Sequence, residues 1–323
     1  MKHGLNMMSF SAVTLATLLP IASFAFPQQG ELSTEVNKRA HFQIENVVLG
    51  GRQVEPSALI RRSIVMVLRY GANQKLRAVC TGVVIGRDLV LTAAHCAAVS
   101  DEKTSEIRQA SQTETMAIYY GDFDPNHMER SQINSVVAIS IHPWAKVVSA
   151  GGPISNDFAV LKVRENHPDF YKSIEILDDR GELPLGTPVK IAGQGVFDPA
   201  FRSFSQTGMI KEYDGLLVSS KPGCTYTPAI AFQPNAADPM ISFQAEFSGV
   251  PFLQRIHQGA FRGDSGGPAY IEKDGVPFLV GVSQSSLPDN ALQCYSDVRK
   301  VRSWITAVSF QMGASFFLVD LGS

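Results

Sequence analysis

The chain has 323 residues, of which 45% are hydrophobic and 18% are charged, so it has the length and composition to bury a core. Neither an intrinsically disordered protein nor a coiled coil has this composition. The formal net charge of -2, without any block of Lys or Arg, argues against a nucleic-acid-binding protein. The four cysteines are too few for a fold held only by disulfides but are enough for two bridges.

Residues 1–25 have the pattern of a secretory signal peptide. A short basic start precedes an apolar stretch from Phe10 to Phe26, and the small residues Ser23 and Ala25 precede the expected cut. The alternative is an amino-terminal membrane anchor, against which Pro20 interrupts the apolar run. We therefore expect export to the periplasm or the extracellular medium, no membrane attachment after signal removal, and an oxidising compartment that favours disulfides.

The exported chain is expected to be rich in short β-strands. Residues 26–47 are polar and lack periodicity, which indicates a linker or a pro-segment. After them, β-rich runs alternate with turn signals, as in an all-β sandwich or barrel. These runs are Ile64–Leu68, Val79–Ile85, Leu89–Thr92, Ser135–Ile141, Phe158–Val163, Val189–Ala192, Gly208–Glu212, Ala269–Ile271 and Phe278–Ser283. The polar stretches 101–115 and 233–249 are expected to be surface loops, and a short surface helix is an alternative for the first of them. Apolar residues at helical spacing predict a terminal helix over Val298–Val308.

Two motifs place a titratable residue at the end of a predicted strand. In Leu91–Cys96, small residues before His95 allow a tight turn that leaves the imidazole facing a cleft. In Asn156–Leu161, Asp157 comes directly before an apolar run. Taken alone, a histidine beside a cysteine indicates a structural role, and an aspartate at a strand entrance indicates a turn cap. Neither motif therefore identifies a function by itself.

The third motif, Gly263–Pro268, is more specific. Glycines on both sides of Ser265 permit backbone conformations that turn N–H groups inward and let a substrate approach closely, whereas a plain turn needs fewer glycines. A serine hydroxyl is a weak nucleophile near neutral pH and requires a base within hydrogen-bond reach. Histidine is the side chain whose pKa suits that base, and a buried carboxylate fixes its tautomer and stabilises its charged form. The three motifs together predict a nucleophile, a base and an orienting acid.

In these segments the chain resembles the trypsin-like serine endopeptidases of the chymotrypsin fold. Val48–Gly51 is similar to the family's mature amino terminus, and the segment Cys80–Cys96 is similar to its cysteine-bracketed hairpin. Weaker similarities follow in the family's order, at His142–Trp144, Ala192–Gly195 and Tyr295–Val298 with Trp304–Ile305. The resemblance covers nearly all of the exported chain, and the order His, Asp, Ser separates it from subtilisin-like and α/β-hydrolase enzymes.

The resemblance implies an all-β fold of two six-stranded antiparallel Greek-key β-barrels, with the active site between them and a C-terminal helix. The protease domain is expected over residues 48–309 and a C-terminal extension over residues 310–323. No metal ion or organic cofactor is implied. A monomer is the default expectation for the oligomeric state.

Residue by residue, the resemblance also implies a catalytic mechanism on a protein or peptide substrate. Ser265 would attack the scissile carbonyl, with His95 as general base and then general acid, and Asp157 would orient His95. The backbone N–H groups of Gly263 and Ser265 would form the oxyanion hole, in which fixed donors stabilise charge that develops only in the transition state.

The cysteines match the family only in part. Cys80 and Cys96 should pair as they do there. For Cys224 and Cys294, a second bridge and two free thiols both remain open. The family's usual bridge beside the active serine is absent, because Phe261 stands where one of its cysteines would be.

The expected specificity pocket also departs from the family. Members that cut after Lys or Arg have an aspartate six residues before the nucleophile, where this chain has Gly259 and then Ala260. A buried basic side chain would lack a partner there, so we expect cleavage after a small or uncharged residue. Asp289, nearby in sequence, is an alternative partner from another direction. One wall of the pocket is Ser283-Gln284-Ser285. On the opposite wall, Gln293 or a neighbouring residue replaces a customary glycine, which favours a polar or partly filled pocket.

The family is activated when a freed amino terminus pairs with the aspartate before the nucleophile, here Asp264. Val48 stands at that terminus, but Val47 precedes it instead of Lys or Arg, and the basic pair Lys38-Arg39 lies upstream. Either the activating protease does not cut after Lys or Arg, or the mature terminus lies a residue or two away from Val48. The resemblance thus implies a zymogen with an activating protease as partner.

Two other functions are compatible with these motifs. A catalytically inactive protein of the same fold would serve in binding or regulation, but such proteins usually lack a triad residue and this chain has all three. An esterase or acyltransferase would use the same nucleophile with another acceptor.

Overall fold

The computed structural model describes residues 51–100, 107–109, 115–124, 127–147, 154–178, 183–195, 197–198, 203–204, 208–218, 229–234, 241–247, 250–256, 260, 263–286 and 293–314. All of them belong to the unit Ile44–Ser323. The predicted signal peptide and pro-segment lie outside the described residues, as do Val48, Cys224, Gly259 and residues 315–323 of the predicted extension.

The regular elements are mostly β-strands. In the first half they are β1 (Arg52–Gln53), β2 (Ile64–Tyr70), β3 (Leu76–Val84), β4 (Leu89–Thr92), β5 (Ala98–Ser100), β6 (Ile107–Gln109), β7 (Thr115–Tyr119), β8 (Ile133–Ile141), β9 (Lys146–Val147), β10 (Ile154–Ser155) and β11 (Ala159–Val163). In the second half they are β12 (Glu175–Ile176), β13 (Pro188–Gly193), β14 (Phe197–Asp198), β15 (Ser203–Phe204), β16 (Lys211–Val218), β17 (Ala229–Pro234), β18 (Ile241–Phe247), β19 (Val250–Ile256), β20 (Pro268–Lys273), β21 (Val276–Ser286) and β22 (Gln293–Asp297). The α-helices are α1 (Ala94–Ala97) and α2 (Arg302–Gln311), and 3-10 turns cover Leu59–Ser63, Arg130–Gln132 and Val298–Val301.

Six strands close the first barrel in the order β11-β4-β3-β2-β7-β8. Strands β2, β3 and β4 follow one another as neighbours and β7 returns beside β2, which makes a Greek key. The run Ile64–Leu68 is buried throughout because both faces of β2 are covered: Val65 and Val67 join one apolar cluster, while Met66 and Leu68 join another. Its β-branched and aliphatic side chains suit a strand buried on both faces.

The second barrel has the same connectivity. Its ring runs β16-β13-β20-β21-β22-β17, and β17 pairs back with β16 to close it. Strand β1 adds to β16 in antiparallel orientation and β12 adds to β21 in parallel. The predicted fold of two six-stranded barrels followed by a C-terminal helix is confirmed.

One apolar cluster joins the two barrels. Leu91 and Val160 enter it from the first barrel, Tyr270 and Val282 from the second, and Ile305 from α2. Burying such side chains contributes about 1.5–3 kcal/mol each, so this shared core fixes one barrel against the other. The cleft between them is therefore a rigid place for side chains from distant parts of the chain.

Four sequence expectations need correction. The supposed loop 101–115 contributes β6, which pairs with β5, and the supposed loop 233–249 contains β18, which forms a hairpin with β19. The strand expected at Gly208–Glu212 lies further on as β16. Helix α2 runs to Gln311, three residues past the helix end expected at Val308. Among the described residues, none of the helices is both long and apolar enough to cross a membrane.

Candidate active site

The pairing of β4 with β11 brings His95 to Asp157. Strand β4 ends at Thr92 and β11 begins at Ala159, and these two residues are partners in the antiparallel register. The chain therefore leaves β4 and enters β11 at the same edge. There the fully buried Asp157 accepts two hydrogen bonds from His95: Oδ2 lies 2.7 Å from Nδ1, and Oδ1 lies 2.9 Å from the backbone nitrogen.

The electrostatics of this pair suit a base. Burial and the charge of Arg69 lower the pKa of His95, but the charge of Asp157 and its hydrogen bond together raise it by more. The net pKa of His95 lies above its ordinary value of 6.5. Because the Asp157 carboxylate accepts the Nδ1 proton, the neutral imidazole keeps its lone pair on Nε2, where a proton can be received.

The backbone of Ser265 is held against the strand that leads to the disulfide. Its carbonyl oxygen accepts a hydrogen bond of 2.9 Å from the N–H group of Thr81 in β3. The Sγ atom of Cys96, the residue after His95, lies 3.7 Å from the same oxygen. The structure thus places Ser265 beside the turn that carries His95, although the two residues are far apart in sequence.

Gly266 sets how closely this turn approaches. It has a φ of +80°, and a Cβ atom placed there would lie 2.1 Å from Oγ1 of Thr92 and 2.4 Å from the carbonyl oxygen of Thr81. Real Cβ contacts are never this short. Only glycine therefore lets the Ser265 turn press against the ends of β3 and β4.

The predicted oxyanion-hole groups have open hydrogen-bonding capacity. Gly263 has a φ of +98°, a conformation that favours glycine. Within the part of the chain that the structure describes, the N–H groups of Gly263 and Ser265 and the Oγ atom of Ser265 have no hydrogen-bond partner. Catalytic hydrogen bonds often form at full strength only when substrate binds, so these groups are available to a reacting carbonyl.

Thr81 is a site residue that the sequence analysis missed. Its Oγ1 atom donates to the carbonyl oxygen of Gly263 (2.9 Å) and accepts from the N–H group of Gln194 (3.0 Å), while its own carbonyl accepts from Thr92 (2.9 Å). Thr81 and Thr92 are both fully buried. The sequence did contain a signal for this role. Thr81 and Thr92 both lie in largely apolar strands, and a hydroxyl buried in such a strand requires a hydrogen-bond partner.

Asp264 is buried and its carboxylate lies against the end of β13. Its Oδ1 atom accepts a hydrogen bond of 2.8 Å from the N–H group of Gly195. The same oxygen lies so close to Gly193 that a Cβ atom there would be only 2.1 Å away. Gly193 at the end of β13 therefore has to be glycine for the carboxylate to enter this position. Val48, its predicted partner, lies outside the described residues.

Ser283, in the predicted pocket wall, is hydrogen-bonded to the turn that carries Ser265. Its N–H group donates to the carbonyl of Gly267 (2.8 Å), and its own carbonyl accepts from the N–H group of Gly266 (2.7 Å). A bulge in the pairing of β21 with β22 separates Ser283 from Ser285. The wall strand therefore bends just after it has fixed the turn that carries Ser265.

Gln284 fills the middle of this wall. It is buried, and its Nε2 atom donates to the carbonyl oxygen of Ile154, while Oε1 has no partner within the described part of the chain. Ala260 is buried as well, and Gly259 lies outside the described residues. A buried polar side chain therefore stands at this position of the predicted pocket wall.

Cys80 and Cys96 form a disulfide, as predicted. Cys294 is also disulfide-bonded, so the alternative of a free thiol at this position is wrong; Cys224, the predicted partner, lies outside the described residues. The ligand atoms of Cys80, Cys96 and His95 lie within 4.8 Å of one another, a spacing found in metal sites. Both sulfur atoms are engaged in the disulfide, and the thiolates that bind metals are therefore not present.

Comparison with known proteins agrees with this geometry. The family model described as Trypsin matches residues 50–305, a range that includes His95, Asp157 and Ser265. The chain is also similar to granzyme B of Rattus norvegicus, with 25% identity over 262 residues, which is 80% of this chain and 89% of that protein.

Proposed function

The chain belongs to the trypsin-like serine protease family, and from this premise we propose that it is an endopeptidase whose catalytic triad is His95, Asp157 and Ser265. The observation that carries the proposal is the double hydrogen bond between His95 and the buried Asp157, next to the turn that holds Ser265. An enzyme needs no other groups to activate a serine hydroxyl.

The first half of the reaction forms an acyl-enzyme. As Oγ of Ser265 bonds to the scissile carbonyl carbon, its proton passes to Nε2 of His95, and Asp157 stabilises the imidazolium. The N–H groups of Gly263 and Ser265 donate to the oxygen that becomes negative. His95 then gives the proton to the leaving amine as the carbon–nitrogen bond breaks.

The second half reverses these roles with water. His95 takes a proton from a water molecule, whose oxygen bonds to the acyl carbon, and the tetrahedral intermediate again rests on the two N–H donors. His95 returns the proton to Oγ as the ester bond breaks. The products are two peptides, and Ser265 is regenerated.

We propose that cleavage follows a small or uncharged residue. The buried Ala260 and the Ser283–Ser285 wall offer no carboxylate to a substrate lysine or arginine. An unpaired buried charge costs several kcal/mol, so basic side chains are disfavoured. Lys and Arg substrates should accordingly be cleaved at least about 100-fold less efficiently than Ala or Val substrates.

We also propose that the protein is exported and made as a zymogen, with Val48 as the terminus that pairs with Asp264. The register supports the required reach: Gln53 pairs with Lys211, and Lys211 pairs with Gly193, which touches the Asp264 carboxylate. Two strand spacings separate Gln53 from Gly193, about 10 Å. Five extended residues from Gln53 back to Val48 span about 17 Å, enough to cover that distance.

Sequencing the amino terminus of the secreted, active protein tests this activation proposal. A terminus at Val48, or within a residue or two of it, is expected. A fully active protein that begins at Phe26 would overturn it, because the terminus could not then reach Asp264.

A peptide-library digestion tests the proposed function. The secreted protein should cleave internal peptide bonds, the Ser265→Ala variant should not, and the residue before each cut should be small and uncharged. Hydrolysis of simple esters without any peptide cleavage would instead identify an esterase. Failure to cleave either class after amino-terminal processing would favour a binding or regulatory protein.

A further inference from the structure

A cavity borders the segment that carries Asp157, because Asn156 is one of its lining residues. It has a volume of about 600 Å³, within the range of small-ligand sites, and its lining includes Trp144, Trp304, His142, Asn156 and Lys300. The sequence analysis found that His142–Trp144 and Trp304 are similar to the family. The proposed catalytic mechanism gives these residues no role.

The walls of this cavity are aromatic. Trp144 and Trp304 are the only tryptophans in the chain, and both line it. The ring of His142 packs against both, with its centroid 5.7 Å from Trp144 and 4.8 Å from Trp304. Trp144 has 75% of its surface exposed, although indole rings are usually buried or partnered. Such walls suit a planar, apolar body.

The side chain of His142 offers a hydrogen-bond donor to the same cavity. His142 is only 5% exposed, and its Nδ1 atom accepts from the N–H group of Trp144 at 3.3 Å. The imidazole proton therefore sits on Nε2, and burial lowers the pKa of His142, which keeps the ring neutral. Within the described residues, this Nε2–H group has no hydrogen-bond partner. An acceptor in the cavity can therefore reach this donor.

The charge at the rim has one sign. Lys300 is exposed and forms no ion pair within the described part of the chain. Neither Asp nor Glu is present among the described residues that line the cavity. A ligand acceptor placed between Nε2 of His142 and the ammonium group of Lys300 would therefore meet two donors and no repulsion, which favours a carboxylate.

We propose that this cavity is a binding site for aromatic carboxylates, with the ring between Trp144 and Trp304 and the carboxylate on His142 and Lys300. Free aromatic acids and the carboxyl terminus of a peptide that ends in an aromatic residue share this chemistry. Asn156 lines the cavity and donates to the carbonyl oxygen of Trp144 (3.2 Å), and it directly precedes Asp157. A ligand here lies one residue from the proposed catalytic aspartate.

Intrinsic tryptophan fluorescence tests the proposal directly, since every tryptophan of the chain reports on this cavity. 3-Phenylpropanoate, which leaves the indole signal clear, should change the fluorescence in a saturable way with a Kd on the order of 1 mM. The matched neutral probe 3-phenylpropanamide should bind at least roughly tenfold more weakly, because it lacks the charge-assisted hydrogen bonds. This measurement does not require catalytic activity, so its outcome is independent of the proposed function.

Variants locate the binding. Lys300→Gln should weaken 3-phenylpropanoate at least roughly fivefold, whereas Lys75→Gln, at another exposed lysine, should leave it unchanged. Trp144→Ala removes an exposed wall, keeps Trp304 as the reporter and should weaken both probes. Because Trp144 and Lys300 are exposed, neither change threatens the fold.

Peptides separate the two sources of ligand. With the Ser265→Ala variant, which prevents digestion, a short peptide ending in a free Phe carboxylate is compared with its amidated twin. Binding of the acid form more tightly than 3-phenylpropanoate identifies a peptide terminus as the preferred ligand, and weaker binding identifies the free acid. A fluorescence signal that stays flat to tenfold above the expected Kd, or equal affinities for acid and amide, overturns the proposal.

Discussion

The packing at Gly266 gives the sharpest stability prediction, because the chain contains a matched control. Gly266 and Gly275 have nearly the same φ, +80° and +79°, but a Cβ atom at Gly275 would meet nothing within 4 Å. Gly275→Ala therefore measures the backbone strain alone. A left-handed backbone conformation costs a non-glycine residue about 1–2 kcal/mol. Alanine also restricts the unfolded chain more than glycine does, and this effect offsets part of that cost.

Gly266→Ala adds a steric cost to the same strain. The new methyl group would overlap Oγ1 of Thr92 and the carbonyl oxygen of Thr81, so either the Thr92–Thr81 hydrogen bond breaks or the Ser265 turn moves outward. A buried unsatisfied group costs about 1–3 kcal/mol, and overpacking costs about as much again. We expect Gly266→Ala to lower the free energy of unfolding by about 3 kcal/mol more than Gly275→Ala.

Thermal unfolding measures this difference. In a domain of this size, about 3 kcal/mol corresponds to a midpoint roughly 6–12 °C lower for Gly266→Ala than for Gly275→Ala. Peptide cleavage should also be lost in Gly266→Ala and retained in Gly275→Ala, which lies in the turn between β20 and β21. Equal midpoints for the two variants would refute the steric reasoning.

Other changes test the remaining contacts. Thr81→Val keeps the shape but removes the hydrogen bonds to the Gly263 carbonyl and the Gln194 N–H group, and should lower the free energy of unfolding by about 2–6 kcal/mol in urea titrations; an unchanged midpoint contradicts the role of the hydroxyl. Asp157→Asn should reduce kcat by about 10⁴-fold, measured with a peptide substrate, because the amide no longer enforces the Nδ1–H tautomer. Replacing both bridged cysteines of the Cys80–Cys96 hairpin with Ser should cost about 3 kcal/mol of stability, read from thermal unfolding. Since the pKa of His95 is raised, the midpoint of the fall in kcat/KM at low pH should lie above pH 6.5. A value of kcat/KM that has already reached its plateau at pH 6.5 would contradict this.

The raised pKa of His95 also makes the stability of the fold depend on pH. This contribution to stability decreases as pH rises, whereas the activity increases. The folded protein holds the His95 proton more tightly than the unfolded chain does, so this group stabilises the fold fully below pH 6.5. Its contribution is lost as pH rises through the higher folded pKa. Asp157→Asn should flatten this part of the stability curve, and an unchanged curve would contradict the assigned charge interaction.

Local patterns in the sequence predicted the strands and singled out His95 and Asp157, whereas the family resemblance implied the two-barrel fold and the roles of these two residues. Apolar runs such as Ile64–Leu68 marked the buried strands, and His95 and Asp157 each adjoin one of them. Their meeting then follows from antiparallel pairing of the two strands. The Cys80–Cys96 bridge, implied by the family resemblance, spans the same hairpin.

The strands that close the second barrel escaped prediction for a physical reason. Strand β22 reads Gln-Cys-Tyr-Ser-Asp, a polar sequence, yet all five residues are buried. Their environment is created by β21 and β17 on either side and by the core below, none of which local hydropathy encodes. Likewise, the hydrogen bonds of Thr81 join segments more than a hundred residues apart.

In the predicted pocket wall, too, contacts between distant segments could not be predicted from the local sequence. Position and residue type indicated a polar wall at Ser283–Ser285, but the contact from Gln284 to the carbonyl of Ile154 depends on the path of a distant segment. The aromatic cavity around His142 likewise depends on Trp144 and Trp304, which line it from distant parts of the sequence.

The most direct test of the proposed chemistry is the reaction of the processed, secreted protein with a fluorophosphonate, located by mass spectrometry. A serine activated by His95 and Asp157 should form a covalent adduct on Ser265, and the adduct should disappear in Ser265→Ala. Labelling should also be strongly slowed in Asp157→Asn. Processed protein that stays unlabelled, or that carries the adduct on another residue, would contradict the assignment.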